Sequence, residues 1–113
     1  MGSMELFGTA EEQAFAAGSV IFRQGDPGAV MYVVLEGQVD VYREGRLLAT
    51  LSPGEVLGEL ALLGQSARTA TAVARSACTL APLDRRRFAL TVQRQPYFAL
   101  DVLRALAERL RAA

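Results

Sequence analysis

The chain contains no histidine and no lysine, a single cysteine and no net charge, with twelve basic residues against twelve acidic ones. Each of these absences removes a class of chemistry. Without His, neither Ser-His-Asp nor Cys-His nucleophile pairs can form, and the commonest transition-metal ligand is missing; this counts against an enzyme. A lone Cys78 excludes an internal disulfide and any all-cysteine metal site, and its place in a strand-like run assigns it to the core. With the charges cancelled, no global field draws the protein to nucleic acid or to an anionic membrane, so any anion must be held locally. The exclusive use of Arg for its positive charge reads as compositional bias. No apolar run reaches the length of a membrane span and no basic-then-apolar leader opens the chain, which gives the expectation of a cytoplasmic protein.

What is present fits one folded domain over residues 1–113, with the opening Met1-Gly2-Ser3 read as an expression scar. Leu6, Ala10, Gln13 and Ala14 at helical spacing predict a short leading helix over Glu5 to Ala16. From Ala17 to Leu60, short Val, Ile, Tyr and Leu runs recur between Gly and Pro signals, as in antiparallel β structure. Pro27-Gly28 and Pro53-Gly54 are placed as the central residues of two turns, and Glu44-Gly45 as a hairpin turn. Val39 and Val41 fall on one face of their strand, with Gln38, Asp40 and Tyr42 on the other. After a further strand-like stretch ending near Pro82, Asp84 can cap one helix and Pro96 can begin a second, on which Ala99, Leu103, Leu106 and Leu110 form an apolar stripe. The pattern predicts a mainly β fold, an antiparallel jelly-roll barrel or related double sheet, with a short N-terminal helix and two C-terminal helices.

The stretch GELALLGQSART, Gly58 to Thr69, is where chemistry is expected. A Gly ahead of a one-turn helix lets the backbone approach a ligand closely, and the first amides of that turn favour an anion. Arg68 can offer a planar fork to two phosphate oxygens, and Glu59 can accept from a sugar hydroxyl. A compact sugar phosphate such as a nucleotide would satisfy both. On spacing and residue type alone, an exposed Glu59–Arg68 salt bridge in an ordinary strand connection accounts for the loop equally well.

Leu57-Gly58-Glu59-Leu60-Ala61-Leu62, a short spacer and Ala67-Arg68-Thr69-Ala70-Thr71 resemble the phosphate-binding cassette of cyclic nucleotide-binding domains, whose pattern is Phe-Gly-Glu-x-Ala-Leu followed by Pro-Arg-x-Ala-Thr. Upstream, IFRQGDPGAVMYVVLEGQVDVY is similar to the family's strand, turn and hairpin. Leu57 and Ala67 depart from the family's usual Phe and Pro. The resemblance implies that Glu59 accepts from the ribose 2′-hydroxyl and Arg68 holds the cyclic phosphate, with the amides of Gly58, Glu59, Leu60, Ala61 and Thr69 completing the cradle next to Ala70. It implies a base cap on the last helix, with Arg109, Leu103 and Leu106 as candidates.

The implied ligand is cAMP, ahead of cGMP because it is the family's commoner ligand; Thr69 keeps cGMP open, since in cGMP binders a Thr there reaches the guanine. No catalytic cofactor is expected. The implied role is a regulatory sensor whose C-terminal helix rearranges on binding and contacts an effector domain or a second copy. Arg85, Arg86 and Arg87 read as a solvated face rather than a nucleic-acid patch. The alternatives are a non-binding interaction domain of the same fold and the sensor half of a catabolite-activator-type transcription regulator; a cupin-like metalloenzyme would need clustered His.

Overall fold

The computed structural model describes residues 12–64 and 67–112, the side chains of Arg109, Leu110 and Ala112 excepted. Among the described residues, eight strands form two four-stranded antiparallel sheets. They are β1 (Gln13–Phe15), β2 (Val20–Phe22), β3 (Met31–Glu36), β4 (Val39–Arg43), β5 (Arg46–Leu51), β6 (Val56–Leu57), β7 (Thr71–Ala74) and β8 (Cys78–Leu83). One sheet has the order β1-β8-β3-β6 and the other β2-β7-β4-β5. Two helices follow, α1 (Arg85–Arg94) and α2 (Phe98–Ala112), and a short 3-10 helix (Glu59–Leu63) separates β6 from β7. The mainly β architecture with two C-terminal helices is as expected.

Alternation along β3 and β8 explains how one sheet serves two cores. Met31, Val33, Ala81 and Leu83 join Val56, Leu62, Phe98 and Val102 in a cluster with the helices. Val34, Cys78 and Leu80 turn to the opposite side and meet Val39, Val41, Leu51, Leu57, Ala72 and Ala74. With both faces covered, β3 reads as a near-continuous apolar run. Burial pushes the Cys78 thiol pKa up, which keeps it protonated and unreactive.

Four expectations need correction. Gln13–Phe15 is a strand, pairing Gln13 with Leu80 and Phe15 with Cys78; cross-strand pairing and the packing of Phe15 on the inter-sheet core outweigh local helical spacing. The rest of the expected leading helix lies outside the described residues. The first turn closes three residues earlier than Pro27-Gly28, with Gln24-Gly25 at its centre: Asp26 N donates to Arg23 O at 3.0 Å, and the positive φ belongs to Gly25. Asp40, on the face expected to be polar, is buried, accepting from Thr50 Oγ1 at 2.6 Å and pairing with Arg75 Nη1 at 3.3 Å. On α2 the core-facing residues are Phe98, Val102 and Ala105, leaving Leu103 exposed, because the Phe98 ring docks on Phe88 and sets the helix rotation.

Other turn signals read as expected. Glu44 and Gly45 both take positive φ, the pairing a two-residue hairpin turn requires. Asp84 caps α1 by accepting from Arg87 N at 2.8 Å. Replacing Asp84 with Ala is expected to destabilise the fold by about 1 kcal/mol, read as a lower urea midpoint at unchanged slope. Arg85 is more than part of a solvated face, since its Nε donates to the Leu62 carbonyl at 3.0 Å and ties α1 to the 3-10 helix.

Candidate functional site

Leu57 ends β6 in the core, and Gly58 then turns the chain with φ 74° into the 3-10 helix. That left-handed conformation disfavours other residues, and a Cβ there would also meet Arg68 Nη1 at 2.7 Å. Glu59 opens the first turn and is only 4 % exposed; a carboxylate at that position is favoured by the unpaired amides beside it. Ala61 N donates back to Gly58 O at 3.1 Å, and Gly64 closes the element in a second left-handed conformation.

Arg68 is held at both ends. Its backbone is clamped to the turn before β3, with Arg68 N donating to Asp26 O at 2.7 Å and Gly25 N donating to Arg68 O at 2.8 Å. Its side chain is 8 % exposed and runs inward. Nη1 donates to Val30 O at 2.8 Å, and the guanidinium carbon lies 4.2 Å above the Phe22 ring and 5.9 Å from that of Tyr32. Against its other side lies Gly28, where a Cβ would run into the guanidinium. Arg68 is thus turned to Val30 and Phe22 rather than locked in a salt bridge with Glu59. Burial pulls its pKa down, opposed by Tyr32 and Asp26; a guanidinium still remains charged. Of its five N–H donors, Nε is buried with no hydrogen-bond partner among the described residues.

A buried cation retaining an unmet donor is a strong attractor for an anion. The space beside it is a cavity of about 350 Å³. Every cradle residue singled out from the sequence lines it: Gly58, Glu59, Leu60, Ala61, Arg68, Thr69 and Ala70. Leu106 of α2 also reaches it, whereas Leu103 is 60 % exposed and is not in its lining. The side chain of Arg109 lies outside those described. The lining also includes Phe22, Val41, Arg43 and Leu48, which sequence reasoning missed. One of these was signalled, since Arg43 continues the inward series Val39, Val41; Leu48 is set beside them by the register shift between Val41 and Tyr42 in the β4–β5 pairing, which leaves it unpaired. Among the described residues no cluster of acidic or sulfur ligands is arranged to hold a metal ion, and no helix is long and apolar enough to cross a membrane.

Comparison with known proteins agrees with this geometry. The family model described as "Cyclic nucleotide-binding domain" matches residues 12–95. The Cyclic AMP receptor protein of Thermus thermophilus is 37 % identical over 108 residues, 91 % of this chain and 50 % of that protein. A cGMP-dependent protein kinase of Drosophila melanogaster is 42 % identical over 80 residues, 71 % of this chain and 7 % of the kinase. The crystal structure of Thermus thermophilus Catabolite Activator Protein superposes with TM-score 0.78 at 35 % identity, covering 96 % of this chain and 54 % of that one. The chain therefore spans about half or less of the length of these relatives. Cavity, cassette and sequence likeness lead to one assignment: the chain belongs to the cyclic nucleotide-binding domain family.

Proposed function

We propose that this domain is a regulatory sensor that binds a purine 3′,5′-cyclic nucleotide in the cavity between the β6–β7 loop and β4–β5. The observation that carries the reading is the buried Arg68 guanidinium, whose Nε has no hydrogen-bond partner among the described residues, beside a buried Glu59 on the same cavity. Arg68 takes the cyclic phosphate, and the amides of Gly58 to Ala61 and of Thr69 share its charge. Glu59 accepts from the ribose 2′-hydroxyl, a role a second phosphate ligand could not fill. Leu106 of α2 lines the cavity, so we take binding and the position of α2 to be coupled, and a ligand shifts that helix only by its differential affinity for its two positions. We read the two sheets as the halves of a jelly roll whose open end this helix covers.

The relatives' names include both a cyclic AMP receptor and a cGMP-dependent kinase. cAMP is the ligand that the family's usage favours. The output we assign to α2, whose outer face exposes Leu100 and Leu103, with Tyr97 exposed in the turn just before it, as contact surface for an effector domain or a second copy. The domain then acts as a cytoplasmic switch rather than a catalyst, including as the sensor half of a catabolite-activator-type regulator.

Calorimetric titration of nucleotide-stripped protein with cAMP, cGMP and 5′-AMP tests the reading. One cyclic nucleotide is expected to saturate a single site with a dissociation constant of about 10 µM or tighter, with 5′-AMP at least about tenfold weaker because its phosphate is not held in the ring the cradle fits. Failure of both cyclic nucleotides to bind would leave the domain as a protein-interaction module.

A further inference from the structure

Arg43 is poorly explained by the fold. It ends β4 on the inward face set by Val39 and Val41, a position normally apolar. Its cross-strand partner is Arg46, and like charges directly opposite are destabilising. Among the described residues it forms no ion pair with a carboxylate. Its Nε donates to the Thr69 carbonyl at 3.3 Å, which leaves its two terminal amino groups available at a cavity wall shared with Val41 and Leu48.

The cradle's needs are met by Arg68 and Glu59, so a second fork in the same cavity addresses a different part of the ligand. On its major-groove edge guanine presents two acceptors, N7 and O6; adenine presents the N7 acceptor beside an N6 amino donor. A guanidinium matches the first edge and meets the second donor to donor. We propose that Arg43 reads this purine edge and biases the site toward a 6-oxopurine cyclic nucleotide over a 6-aminopurine one. The inference rests on the cyclic-nucleotide reading of the cavity and reverses the preference that family usage alone suggests.

Equilibrium titrations of the wild-type chain, Arg43→Ala and Arg43→Gln with cGMP, cIMP and cAMP test it. Wild type is expected to bind cGMP and cIMP about tenfold or more tighter than cAMP, in the range one bidentate base contact supplies. cIMP tracks cGMP because both carry O6 and N7. Arg43→Ala brings the ratio close to one. Arg43→Gln retains a donor for Thr69 and offers the amide geometry that pairs with adenine, so it swings the preference toward cAMP while showing that loss of folding is not the cause. Wild-type preference for cAMP, or a parallel loss of all three ligands in both variants, would overturn the inference and leave Arg43 as a brace for Thr69, with the cyclic-nucleotide site standing. Absence of binding by all three ligands to wild type would overturn both.

Discussion

Arg68→Ala is expected to weaken cyclic-nucleotide binding by about 100-fold or more, the loss of a charge-assisted two-point contact from a buried guanidinium. The fold should barely register the change. In the protein as described the guanidinium has one carbonyl partner and rests on the Phe22 ring. Its removal forfeits those contacts and leaves Val30 O without that donor, but it also relieves the desolvation of a buried cation. These effects oppose each other and are expected to leave stability within about 1 kcal/mol of wild type. Calorimetry and urea unfolding on one preparation separate the two quantities. A variant that unfolds readily would place Arg68 among the structural residues.

Gly28→Ala is expected to reduce affinity on the order of 30-fold by displacing the same guanidinium from the geometry that a bidentate contact demands. Gly28 does not take a positive φ, so alanine is compatible with its backbone. The obstacle is the Arg68 guanidinium, including Nη2 at 2.7 Å from the added Cβ. A flexible side chain can yield where backbone cannot, so the effect falls on the ligand rather than on folding. Gly54→Ala makes the opposite case. Gly54 has φ 93° with nothing within 4 Å of an added Cβ, so that variant should lose about 1 kcal/mol of stability and keep its affinity. Equal affinity in Gly28→Ala and wild type would show that Arg68 binds from another position.

The contrast between Gly28 and Gly25 shows where the sequence was legible and where it was not. A Pro-Gly pair is an ordinary turn signal, and Pro53-Gly54 obeys it, with Glu55 N donating to Ser52 O at 3.0 Å. At Pro27-Gly28 the same pair serves another end: Pro27 bridges to Ala67, and Gly28 makes room for Arg68. Local patterns carry no information about a side chain arriving from forty residues away. That Gly58, Glu59 and Arg68 line one cavity could be expected from the sequence because they fall within one loop and match one motif. The same could not be expected of Phe22, Val41 and Leu48, since apolar strand residues look alike whether they face a core or a cavity. On α2 the stripe through Leu103 and the stripe through Val102 satisfy the same period, and only the docking of Phe98 against Phe88 decides between them.

The claim that Arg68 meets the ligand through its own side chain is most directly tested by nuclear magnetic resonance of the arginine Nε–H groups, with Arg68 assigned by its absence in Arg68→Lys. On saturation with the tighter-binding cyclic nucleotide, the Arg68 Nε–H resonance is expected to move downfield and gain protection from solvent exchange as a buried donor acquires an anionic acceptor. A saturable nucleotide that leaves this resonance in place would contradict the account, because the ligand would then be bound without the residue on which the site is built.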